Sequence, residues 1–138
     1  MDSKLLSILD KIKEEGNYKE WIHQPSGYKC EIKRIIFTSR RDGVTTGGYL
    51  CGYVTLPKSH PDYGKDYEES DINIDVHGGL TYGSDGKYGF DCAHLGDMSP
   101  FSEEQYCYDL VVTEYRDMEY VTREVNNMAD QFYKREKK

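Results

Sequence analysis

Two runs rich in β-branched and aromatic residues, YKCEIKRIIF (28–37) and GYLCGYVTL (48–56), constrain this chain more than any other feature. Such residues fit a pleated, half-buried surface. The intervening SRRDGVTTGG carries Asp-Gly and Gly-Gly turn signals, so the pair reads as a long-looped hairpin. Everything else must be arranged around it.

The ends of the chain change period. In SKLLSILDKIKEE (3–15), Leu5, Leu9 and Ile12 form one helical stripe with Leu6 and Ile8 beside it, and Gly16 follows as a stop. Between Tyr115 and Lys134, the residues Met118, Val121, Val125, Met128 and Phe132 recur at helical spacing, which predicts a helix over 116–132. SEEQ (102–105) has the capping-box pattern, with Phe101 and Tyr106 at staple spacing. Pro57 ends the second β-run, and PKSHPDYGKDY (57–67) reads as an irregular loop. DINIDV (71–76) alternates strictly, with Ile72, Ile74 and Val76 on one face and Asn73, Asp75 and His77 on the other. GLTY and KYGFDCA flank the turn GSDG (83–86), which predicts a second hairpin. The expected fold is α+β and two-layered: a mostly antiparallel sheet of four to five strands, with N- and C-terminal helices packed on one face. The size fits a single domain over residues 1–138.

Charge and cysteine usage narrow the function. Lys and Arg number 18 against 25 Asp and Glu, a net charge of −7. That balance repels phosphate backbones and argues against general nucleic-acid binding, while leaving room for one small anion at a local basic cluster. The chain shows neither an apolar signal region nor the ~18 consecutive apolar residues of a membrane span. Cys30, Cys51, Cys92 and Cys107 form no CxxC pair, so reduced, buried thiols and a cytoplasmic location are expected. Thirteen Tyr against four Phe and one Trp favour half-wet clefts and interfaces over a thick dry core.

The densest chemistry lies in DVHGGLTYGSDGKYGFDCAHLGD (75–97). A turn at Ser84–Gly86 would place Asp91 opposite Gly79 and His94 opposite Val76, with His77 diagonal to Asp91. His77, Asp91, His94 and Asp97 would then gather at one end of the hairpin, and Gly78 and Gly79 would let something approach the backbone. Two chemistries fit. One is a divalent-metal hydrolase using His77, Asp91 and His94 as ligands, although the spacing matches no established metal pattern. The other is binding without chemistry, with no cofactor: His77, Gly78, Gly79, Tyr82, Asp91, His94 and Asp97 line the site. Tyr63 and Lys65 of the 57–67 loop and the Arg40–Arg41 pair would add ring stacking and cationic contacts. Cys92 shares a strand face with Tyr88 and Phe90 and reads as a buried, inert thiol. No phosphate-cradling P-loop and no GxGxxG is present.

GYVTLPKSHPDYGKDY, DVHGGLTYG, GFDCAHLGD and YRDMEYVTREV together resemble a family of small, mostly uncharacterised proteins of phages and prophages, over about residues 48–128. The resemblance implies no catalytic residue. It implies action on host proteins or host small molecules, and by analogy with unrelated phage proteins an anti-defence role, sequestering a nucleotide-like host signal in a homo-oligomer. The leading expectation is therefore a phage-type binding protein for a small polar or nucleotide-like ligand. The alternatives are the metal-dependent hydrolase and a protein inhibitor of a host enzyme.

Overall fold

A computed structural model describes residues 3–38, 45–69, 71–93 and 114–136. Arg40, Arg41, His94, Asp97 and Cys107, and the capping pattern at 101–106, lie outside the described residues.

The elements are α1 (Ser3–Glu15), β1 (Tyr18–Ile22), β2 (Lys29–Thr38), β3 (Thr45–Thr55), β4 (Tyr82–Ser84), β5 (Lys87–Asp91) and α2 (Met118–Glu136). The strands form one sheet in the order β1-β2-β3-β5-β4, every neighbouring pair antiparallel. This is the α+β arrangement that the sequence predicts, with one exchange among its strands. DINIDV is not in the sheet, and β1, which no pattern announces, forms an edge.

Each element has a local cause. α1 ends at Gly16, whose φ of +78° lies in the left-handed region that glycine enters without penalty. α2 starts where the Asp117 carboxylate accepts the Tyr120 N–H at 2.8 Å, an N-cap bond. β4 and β5 are joined by Asp85 and Gly86, with φ of +52° and +81°, the conformation that a two-residue hairpin requires. Gly48 is fixed by a close approach: a Cβ there would lie 1.8 Å from the Ile35 carbonyl oxygen, beside the register shift between β2 and β3.

One face of the sheet carries the core. Cys30, Ile32, Leu50, Val54, Leu56, Tyr88, Phe90 and Cys92 pack against Val121, Val125, Met128 and Phe132 of α2. Gly52 is the contact point, since a Cβ there would come within 2.5 Å of Val125 Cγ2. α2 is then held along both flanks. On one side Thr122, Asn126 and Asp130, spaced four residues apart, bond Lys19 Nζ at 3.0 Å, Trp21 Nε1 at 2.9 Å and His23 Nε2 at 2.8 Å. On the other side runs the segment 72–77. Its alternation holds, with Ile72, Ile74 and Val76 in the core. Its partner, however, is a helix. The Gln131 amide accepts the Asp75 N–H and donates to the Asp75 carbonyl, both at 2.7 Å, while Asn127 donates to the same carbonyl at 3.0 Å and Glu124 accepts the His77 N–H at 2.8 Å. The side-chain amide supplies the bond pair that a neighbouring strand would supply.

α1 meets the rest of the fold at one corner, where the Arg34 guanidinium donates to the Glu15 carboxylate at 3.1 Å, the Gly16 carbonyl at 2.9 Å and the Tyr115 hydroxyl at 2.6 Å. No helix among the described residues is long and apolar enough to cross a membrane.

Candidate functional site

The predicted hairpin exists, but it is short. Tyr82 pairs with Gly89, Gly83 with Tyr88 and Ser84 with Lys87. Beyond Thr81, whose N–H donates to the Gly89 carbonyl, the chain leaves the ladder, because Gly78 and Gly79 have φ of +67° and +80° and turn it away. Asp91 therefore sits beside Thr81, whose hydroxyl donates to it at 3.0 Å, and not opposite Gly79. Its other oxygen accepts the Ala93 N–H at 3.0 Å. His77 lies on the helical side, its Nδ1 2.8 Å from the Tyr120 hydroxyl and its ring edge-on to Tyr120. The diagonal pairing of His77 with Asp91 across one sheet face is thus replaced by attachment of His77 to α2. The two glycines do adopt conformations that a side chain resists, yet a Cβ on Gly79 would meet nothing within 4 Å. Among the described residues, no group of three or more His, Cys, Asp or Glu is placed to hold a metal ion.

The 57–67 loop is a chain of tight turns around two buried polar groups. The His60 ring accepts the Asp62 N–H at Nδ1 (2.9 Å) and reaches the Phe132 carbonyl through Nε2 (2.7 Å), which fixes the tautomer with its proton on Nε2. Arg135 donates to the buried Asp62 carboxylate at 2.8 Å and holds it below the usual carboxylate range. Lys65 bonds Asp71 and lies 3.5 Å from Asp62, so its ammonium is already paired. Tyr63 covers the β4–β5 turn, its ring 2.3 Å from where a Gly86 Cβ would be. These two loop residues are thus held by intramolecular contacts. Cys92 is buried among Tyr88 and Phe90, as its strand position predicts.

Of the expected binding side chains among the described residues, that of Tyr82 is the most exposed, at 44%. It projects from the face of the sheet opposite α2, on which neither helix lies. Strand register assembles a row across this face: Glu20 opposite Glu31, Glu31 opposite Tyr53, Tyr53 opposite Gly89, and Gly89 opposite Tyr82. Gly89 creates the space. A Cβ there would lie 2.5 Å from Tyr53 Cδ1, so the Tyr53 ring settles over bare backbone. Tyr82 meets that ring edge-on, with centroids 5.8 Å apart. Lys33 Nζ and Lys87 Nζ lie 5.7 Å and 4.8 Å from the Tyr53 centroid, within cation–π range.

The acid–base states of this face follow from its contacts. Burial pushes the Glu31 carboxyl upward, but the Tyr18 hydroxyl at 2.8 Å and the Lys87 ammonium at 3.1 Å outweigh it and hold the group below the usual range. Burial raises the Tyr53 phenol, which stays protonated at neutral pH. Cys51 is raised to about 11 by burial and by the Asp91 charge opposite it, so it is no nucleophile. Cys30, deep in the core, is raised to about 12 by burial.

Tyr53, Lys33, Lys87 and Glu31 were not singled out by sequence. The signal was present in alternation: Glu31 and Lys33 are the polar partners of buried Cys30 and Ile32, and Tyr53 alternates with buried Val54. What was missing was the register that sets them side by side. Set against protein-family models, curated proteins and solved structures, the chain matches none.

Proposed function

We propose that this protein binds a small polar or nucleotide-like ligand on the sheet face opposite α2, with Tyr53 and Tyr82 as the ring platform and Lys33 as the cationic contact, Lys87 being held by Glu31. The single observation that carries the reading is the Tyr53 ring, laid on Gly89 and flanked by two ammonium groups. The half-buried Tyr53 ring and the exposed Tyr82 ring offer stacking to a planar base, and the neighbouring Lys33 meets an anionic group without requiring a basic protein. Lys33 has no carboxylate partner among the described residues, so its charge is available to a ligand. The phage and prophage resemblance supports a host small molecule as that ligand, sequestered rather than converted.

Calorimetric titration of mononucleotides and cyclic dinucleotides tests it. Tyr53→Ala should weaken binding by about one to two orders of magnitude, the range of a lost base–aromatic stack, and Lys33→Ala should weaken it with a strong salt dependence. Lys65→Ala, which touches only the Asp62–Asp71 pairing, should leave affinity unchanged. Loss with Lys65→Ala but not with Tyr53→Ala would move the site to the 57–67 loop.

A further inference from the structure

The two edges of the sheet differ. β4 is three residues long, whereas β1 offers five, without a proline or a bulge to blunt it. The hydrogen bonds fix which way β1 faces. Asn17 accepts from Arg34 N–H and His23 donates to the Tyr28 carbonyl, each at 2.9 Å, so the alternate residues Lys19 and Trp21 turn their backbone groups toward β2. The N–H and C=O groups of Tyr18, Glu20 and Ile22 point outward, and none has a partner among the described residues. Tyr18 and Ile22 are also 49% and 54% exposed, unusual for large apolar side chains flanking an acid.

Charge defines what fits there. Glu20 lies directly opposite Glu31, a like-charge pair that is unfavourable by itself. Glu31 is answered by the Lys87 ammonium at 3.1 Å, whereas Glu20 accepts from the Tyr18 hydroxyl at 2.9 Å and has its cation, Lys29, only at 3.6 Å. A depression of about 360 Å³, lined by Glu20, Trp21, Ile22 and Lys29, adjoins the same end of the strand. We propose that β1 accepts an extended segment of another protein as a sixth strand, with a Lys or Arg opposite Glu20 and apolar side chains opposite Tyr18 and Ile22. Main-chain bonds to three outward residues give the affinity, and the alternate side chains give the selectivity. A second copy of this chain fits poorly. Antiparallel self-pairing centred on Glu20 opposes Glu20 to itself, centring on Lys19 opposes Lys19 to itself, and centring on Trp21 sets Glu20 against Ile22. The net charge of −7 likewise favours a basic partner.

The test is fluorescence polarisation with nine-residue peptides centred on Val-Thr-Arg-Thr-Val or Val-Thr-Glu-Thr-Val. The Arg peptide should bind saturably and at least tenfold more tightly than the Glu peptide, and Glu20→Arg should reverse the order. Because Glu20 is exposed, that variant should keep the wild-type melting temperature. N-methylation of the peptide amides that face β1 should abolish binding, and methylation of the alternate amides should not. Tyr53→Ala should leave peptide binding intact, which keeps this result independent of the ligand site. The proposal is overturned by absence of saturable binding, by equal binding of the two peptides, or by indifference to which amides are methylated. A dimer that forms without peptide and is lost on Glu20→Pro would assign the edge to a second copy instead.

Discussion

The two faces of the sheet are built from the same strands by alternate residues, and they solve different problems. The face under α2 uses Cys30, Ile32, Val54 and Phe90, all at most 1% exposed, and tolerates one close helix approach at Gly52. The opposite face uses Glu31, Lys33, Tyr53 and Tyr82 and places its own glycine, Gly89, beneath a ring rather than beneath a helix. On the covered face a missing Cβ brings helix and sheet together. On the open face it lowers an aromatic ring onto the backbone. The same missing Cβ seats a helix on one side and a ring on the other.

Substitutions should separate the faces by magnitude. The largest effect belongs to Val125→Asp, which buries an unpaired carboxylate in the core and should cost more than about 4 kcal/mol; unchanged thermal stability would show that α2 does not cover the sheet there. Next comes Asp62→Asn, with a loss of about 1–3 kcal/mol, because Arg135 keeps some solvent contact. Its pH signature is specific. The folded carboxyl lies below its ordinary value, chiefly through Arg135, so the stabilisation is full above about pH 5. It should fade as pH falls below about 4 toward the folded value. Denaturant melts of the variant should lack that acid loss.

The paired glycines sharpen the comparison. Gly52→Ala should cost about 1–3 kcal/mol, since its Cβ would strike Val125 and Phe90 in a packed core. Gly89→Ala should cost less, because the Tyr53 ring can swing toward solvent, although the Gly52 carbonyl 2.8 Å away prevents full relief. It should nevertheless reduce ligand binding as much as Tyr53→Ala does. The smallest effect is that of Tyr82→Ala, under about 1 kcal/mol in chemical denaturation, as for a half-exposed side chain. A cost near that of Gly52→Ala would mean that the open face is packed after all.

The covered face was the legible one. Apolar period located α1 and α2, and β-branched and aromatic enrichment located β2 and β3; Met118, Val121, Val125, Met128 and Phe132 are buried as their spacing requires. β1 escaped because Tyr18, Lys19 and Glu20 are all exposed, and an edge strand need not alternate when little of it is buried. DINIDV deceived in the opposite sense. Its alternation records burial on one side truthfully, but it cannot say whether the backbone pairs with a strand or with Gln131 and Asn127. The candidate site divides similarly. Tyr82 was recognisable from composition, whereas Tyr53, Lys33 and Lys87 become neighbours only through register.

The attachment of segment 72–77 to α2 bears on how this protein can vary. Gln131 and Asn127 grip the main chain of Asp75, which every amino acid except proline presents alike. The route of the segment is therefore inscribed in the helix, and the side chains at positions 73 and 75 are free to drift without changing it. An insertion of one residue between Glu124 and Gln131 would be a different matter. It would turn the grips about 100° apart around the helix axis and leave the segment with no track to follow.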